Sequence, residues 1–131
     1  MTWLDLPPDT GFGLDNLPLG IFSTPGGGPR TGVRIGDLVL DLWAYGHDPD
    51  HATGSLNALL ARGPERWAEL RLDLRNVLTD EASRAAVEPF LVPLRDVHMH
   101  LPFEVADYVD FYSSLHHAEN VGRMFRPDAE P

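Results

Sequence analysis

Two apolar runs separated only by Gly36-Asp37, Thr31-Gly32-Val33-Arg34-Ile35 and Leu38-Val39-Leu40-Asp41-Leu42, constrain this chain more than any other feature. A two-residue link is too short for a parallel crossover, and a Gly-led pair is what tight hairpin turns select, so the two runs form an antiparallel hairpin. A third short run, Leu19-Gly20-Ile21-Phe22-Ser23, precedes them and is closed by Thr24-Pro25-Gly26-Gly27-Gly28-Pro29, a dense turn signal. Three short strands with tight turns predict a small antiparallel barrel or sheet.

The segment before Leu17, with Pro7, Pro8, Gly11 and Gly13, reads as an irregular arm. From Trp43 onward the hydrophobic period changes. Ser55 ahead of Leu56, Leu59 and Leu60 predicts a short helix stopped near Gly63, and Pro64 suits the first turn of a longer one from Glu65 to about Leu78. That helix carries Trp67, Leu70, Leu74 and Val77-Leu78 on one side. Thr79 or Asp80 can cap a third helix through about Val87, before Pro89 and Pro93 interrupt the pattern. Val97-His98-Met99-His100-Leu101 is a further strand, ended by Pro102. The fold class is therefore α+β.

At 131 residues and 43% hydrophobic, the chain can bury one real core. Acidic side chains number 20 against 10 basic ones, all arginine, for a formal net charge of −10. Nucleic acid and anionic membrane both require a clustered basic face, and neither is expected as a partner. Arg62, Arg66, Arg71 and Arg75 alternate with Glu65, Glu69 and Asp73, the pattern of a solvated helix face. Without cysteine there can be no disulfide, thiol nucleophile or Cys-based zinc site, which suits a cytoplasmic location. No run approaches the ~18 apolar residues of a membrane span, and the acidic, Pro-interrupted start is not that of a signal peptide.

Four constellations could carry chemistry. Gly26-Gly27-Gly28 lacks the spacing, the lysine and the following helix of a phosphate-binding loop, so a turn is the better reading. His47-Asp48-Pro49-Asp50-His51 could bind a metal only if helical, and Pro49 disfavours helical geometry at Asp48; an exposed polar loop is expected. His98 and His100 share one face of a strand but have no third ligand spaced nearby.

The fourth runs from Asp107 to Arg126 and is dense in polar and aromatic residues. In extended geometry Asp110 and Tyr112 point to one side, Val109 and Phe111 to the other. Ser113 or Ser114 then suits a helix N-cap for a helix from Leu115 to about Met124. Such a switch can gather a carboxylate, a phenol and an imidazole around one pocket. Arg126, nine residues after His117, joins them only if the helix ends near Phe125 and the chain turns back. By pattern alone, an amphipathic helix with an incidental histidine pair accounts for the segment equally well.

The same segment, Asp107-Tyr108-Val109-Asp110-Phe111-Tyr112-Ser113-Ser114 with His117-Ala118, Asn120-Val121-Gly122 and Met124-Phe125-Arg126, resembles the opening of the catalytic domain in the fumarylacetoacetase family. Asn16 to Ser23, the hairpin from Gly32 to Leu42, and Met99-His100-Leu101-Pro102 resemble that family's N-terminal domain, so the likeness covers nearly the whole chain in order. The resemblance implies an SH3-like β-barrel with helical insertions over 1–104, followed over 105–131 by the first strand and helix of a mainly-β catalytic domain. It further implies a homodimeric hydrolase that cleaves a carbon–carbon bond of 4-fumarylacetoacetate, a diketo acid, to fumarate and acetoacetate at the end of tyrosine and phenylalanine catabolism.

Carried over by position, Asp110 resembles a ligand of a catalytic Ca²⁺ or Mg²⁺ that would hold both diketone oxygens and stabilise the departing enolate. His117 matches the general base that activates water, and Tyr112 and Arg126 match substrate-binding positions. Val109 stands where Thr is usual, Val105-Ala106 replaces an Ile-Gly pair, and Glu119 replaces a small hydroxyl residue. His116 could be mistaken for the base, but the register from Asp110 selects His117. The family's other metal carboxylates and the acid that orients the histidine lie downstream of the matched segment. The expectation is thus an N-terminal fragment, inactive alone. The alternatives are a stand-alone interaction module that docks on a separate catalytic chain, and another diketone or oxo-acid hydrolase of the wider superfamily.

Overall fold

A computed structural model of the chain describes residues 2–127. The strands form a curled five-stranded antiparallel sheet: β1 (Leu19–Ser23), β2 (Arg30–Ile35), β3 (Leu38–Asp41), β4 (Leu91–Pro93) and β5 (His98–His100), in the order β4-β3-β2-β1-β5. Five helices accompany it: α1 (Leu42–Gly46), α2 (Asn57–Ala61), α3 (Pro64–Thr79), α4 (Arg84–Val87) and α5 (Leu115–Phe125). The architecture is α+β and compatible with an SH3-like barrel.

Turn chemistry sets the sheet. Pro25 and Gly26 occupy the centre of a turn closed by the Gly27 amide donating to the Thr24 carbonyl at 2.9 Å, and Gly26 holds the positive φ of 77° that its position demands. The Gly-rich stretch is a turn, as its composition predicts. At the β2–β3 hairpin Ile35 faces Leu38, and Gly36, at φ 56°, supplies the left-handed residue of the two-residue link.

The pleat then divides the side chains. Leu19, Val33 and Leu40 lie opposite one another, and with Ile21 and Ile35 they pack against Leu56, Leu59, Leu70, Leu74, Leu78 and Val87 from the helices. On the other face Gly20 pairs with Gly32, which leaves room for the buried Phe22 ring and Val39 beside Met99. Pro64 opens α3, and the leucines at 70, 74 and 78 recur at a one-turn spacing, so all three are buried. Trp67 lies nearer the rim, half exposed, with its indole donating to the Leu59 carbonyl at 3.0 Å.

Three expectations need correction. The arginines between 62 and 75 are not a merely solvated face: Arg62, at the end of α2, reaches Asp50 at 2.7 Å and, from α3, Arg66 reaches Asp48 at 3.4 Å, while Arg71 donates to the carbonyls of Asp15 and Asn16 and Arg75 to that of Leu14. Their long stems let them reach segments packed beside the helix, which spacing along one helix cannot reveal. The loop at 47–51 is not wholly exposed either. A single 3₁₀ turn over Pro49–His51, capped by Asp48, turns His51 inward until it is 3% exposed. Finally, the expected strand around Asp110 is not formed. Residues 104–112 carry no regular structure, because no sheet edge lies alongside to supply ladder bonds. Among the described residues no helix is long and apolar enough to cross a membrane.

Candidate active site

The segment around Asp110 follows β5 and leaves the sheet. Leu101 is exposed, and so are Val105, Tyr108, Val109 and Phe111. Helix α5 begins where its sequence says it should: Ser114, in extended geometry, accepts from the His117 amide at 3.2 Å through its hydroxyl. The cap fixes the first turn and with it the direction of the His117 side chain. Tyr112, two residues before the cap, folds back so that its ring meets the His117 imidazole edge-on, centroids 5.3 Å apart at 75°.

Two of the four sequence-predicted site residues, Tyr112 and His117, are thereby in contact. Asp110 is exposed and makes no hydrogen bond or ion pair within the described residues. Arg126 stands at the helix end, where α5 stops at Phe125 and Arg126 departs from helical geometry at φ −139°, ψ 67°. The amide of Arg126 still donates to the Gly122 carbonyl at 2.7 Å. Arg126 is exposed and makes no side-chain hydrogen bond or ion pair among the described residues. His116 belongs to the same exposed first turn but has no aromatic partner of this kind among the described residues.

A divalent cation does not find a complete site here. Ca²⁺ takes roughly six to eight oxygen ligands, and among the described residues no group of three or more His, Cys, Asp or Glu side chains could hold a metal. Asp110 is a single carboxylate and can fill at most two of those positions.

The other histidine pairs resolve differently. His98 and His100 do share a face, their rings 4.8 Å apart and nearly perpendicular, and the His100 Nε2 bonds the Ser23 hydroxyl at 2.8 Å across the β1–β5 ladder. His47 and His51 part company: His47 is exposed, terminates α1 at φ 55° and stacks near Trp43, while His51 enters the interior. Burial pushes the His51 pKa down, opposed by the Asp48 charge, with Arg66 also lowering it and Asp50 raising it. Sequence spacing missed His51 as a buried polar residue; the Asp48-Pro49 pair, a capping residue ahead of proline, was the available sign of a tight turn there.

Residues 15–102 match the family model described as fumarylacetoacetase N-terminal. The chain is 38% identical over 145 residues to a fumarylacetoacetase of Bos taurus, covering 96% of this chain and 34% of that protein. It is 37% identical over 142 residues to the Homo sapiens fumarylacetoacetase and 36% identical over 146 residues to that of Caenorhabditis elegans, with 96% and 95% of this chain and 34% of each relative covered. The chain thus spans about a third of the length of the curated relatives it matches.

Proposed function

Because the chain belongs to the fumarylacetoacetase N-terminal family, we propose that it serves as the N-terminal part of a fumarylacetoacetase, residues 1–104 as the small barrel domain and 105–131 as the opening of the catalytic domain. The reaction is hydrolysis of 4-fumarylacetoacetate to fumarate and acetoacetate, performed by a homodimer when the remaining domain is present. The observation that supports this reading is the contact between Tyr112 and His117, the two positions to which the resemblance assigns substrate binding and the general base.

His117 is the general base. A neutral imidazole takes a proton from water as the oxygen attacks the fumaryl carbonyl carbon. The carbon–carbon bond then breaks, its electron pair passes to the acetoacetate carbon, and the imidazolium returns the proton there. Tyr112, held against the imidazole, keeps the ring in position and offers its hydroxyl to a substrate carboxylate. Arg126 supplies a permanent cation and a two-pronged donor for the other carboxylate. Asp110 would be one ligand for Ca²⁺ or Mg²⁺, whose remaining ligands would belong to the rest of the enzyme and which, when bound, would stabilise negative charge on the diketone oxygens. Alone, the chain is expected to be inactive, since a base without an enclosed, pre-oriented pocket loses most of its catalytic environment.

The test is to fuse this chain to the catalytic remainder of the Bos taurus relative and follow loss of the diketone. We expect turnover by the chimera, none by the 131-residue chain, and loss of turnover in the chimera on His117→Ala. Turnover by the chain alone, or an active His117→Ala chimera, overturns the reading. Inhibition or rescue of a separately expressed catalytic chain would instead identify an interaction module.

A further inference from the structure

Between α1, the turn that follows it, and α3 lies a cleft of about 460 Å³, well away in sequence from the segment around His117. Its walls are apolar, from Leu42, Leu70, Leu74 and Val77, and its rim carries Asp48, Asp73 and Arg66. His51 lines it too, only 3% exposed, and its Nδ1 is buried with no hydrogen-bond partner among the described residues. Nδ1 itself is enclosed, but among the described residues the ring has no hydrogen bond at either nitrogen; native interiors leave few such groups unmatched, so an unpartnered imidazole in the wall of a cleft points to a ligand.

The sign of the ligand follows from the rim. Arg66 is already faced by two carboxylates, Asp48 at 3.4 Å and Glu69 at 3.8 Å, whereas Asp73 makes no ion pair among the described residues. The uncompensated charge at the cleft is therefore negative, and the chain's net charge of −10 raises the local concentration of cations further. We propose that the cleft binds an organic ammonium ion with a hydrocarbon tail, the tail lying on the leucines and the ammonium group donating to Asp73 and the His51 imidazole. Burial keeps that imidazole neutral and hence able to accept. Tyr45 lines the same cleft, and an aromatic ring beside a cation adds a further attraction. This assignment does not depend on the hydrolase reading, and its test uses no catalytic measurement.

Three probes of equal tail length separate the possibilities: hexylammonium, hexanoate and hexanol, titrated into the isotopically labelled chain and followed by amide chemical shifts. Saturable shifts with hexylammonium are expected over residues 42–51 and 66–77, with hexanoate weaker by about tenfold, the worth of a charge-assisted hydrogen bond. Asp73→Asn, at an exposed position whose loss leaves the fold intact, should weaken hexylammonium by about tenfold as well, and His51→Leu should weaken it further. Equal or tighter binding of hexanoate or hexanol, no saturable shift with hexylammonium, or an Asp73→Asn chain that binds it as before, overturns the proposal.

Discussion

Arg30 at the start of β2 donates through Nε to the Asp41 carboxylate at the end of β3, 2.6 Å away, with both side chains largely buried. The pair is diagonal across the ladder, since Asp41 lies opposite Gly32. Asp41 also accepts from the Ala44 amide at 2.9 Å and so caps α1. The guanidinium, meanwhile, lies 4.6 Å from the centre of the Phe22 ring. One carboxylate thus fixes the hairpin register and starts the first helix.

Asp41→Ala removes the cap and leaves the largely buried Arg30 without its anion. We expect a loss of about 3 kcal/mol or more in urea unfolding. Asp41→Asn, which keeps an acceptor for the Ala44 amide, should lose clearly less. Equal losses for the two variants would show that the ion pair and not the cap dominates.

Gly32 faces Gly20 on the sheet side that holds Phe22. A Cβ at Gly32 would sit 2.5 Å from Val39 Cγ1 and 2.7 Å from Phe22 Cε1. Neither neighbour has a flexible end to swing aside. Gly32→Ala should therefore cost about 1–3 kcal/mol by overpacking, read as a lowered denaturation midpoint, whereas Gly28→Ala, with open space around it, should be nearly neutral.

How far the sequence carries is visible in the same elements. The β2–β3 hairpin and α3 were legible because each is specified locally, by a turn pair and by leucines at helical spacing. Helix α5 was legible for the same reason, its Ser114 cap and its end before Arg126 both following from short-range chemistry. Asp110 was not placed as expected, because a strand requires a neighbour that no local pattern supplies. The arginines of α3 were misread because their partners, Asp15 and Asp48 among them, are distant in sequence. The inward turn of His51 depends on packing of the 49–51 turn against α1, α2 and β2, so composition alone described it only as a polar loop. At the candidate site, the pairing of Tyr112 with His117 came from register with a known family, not from spacing.

The N-terminal arm finishes α3. A helix leaves its last carbonyls without partners; here the Trp3 indole donates to the Val77 carbonyl at 2.9 Å and the Thr2 hydroxyl to that of Leu78 at 2.6 Å. Trp3→Ala should lose about 2 kcal/mol through lost burial and this bond. Hydrogen exchange should localise the effect: amides in the last turn of α3 lose protection before those of the sheet.

His51 gives the fold an acid-side weakness that can be separated from its carboxylates. Burial, the largest influence, lowers its pKa in the folded state, outweighing the neighbouring Asp48 charge. In the unfolded chain the imidazole titrates near 6.5, so the unfolded state binds the proton first. The stability it permits is complete above about pH 6.5 and is withdrawn as pH falls from there toward the lower folded value, by at most about 1.4 kcal/mol per pH unit. Asp48, whose carboxyl is held below its usual range chiefly by the Asp50 amide, loses its contribution only at much lower pH. Between about pH 6.5 and 5, then, the slope of stability against pH should be steeper in the native chain than in His51→Leu, which has no proton to take up and no orphaned nitrogen to bury. Urea midpoints at intervals across that window measure it, and parallel slopes for the two chains would place the titration elsewhere.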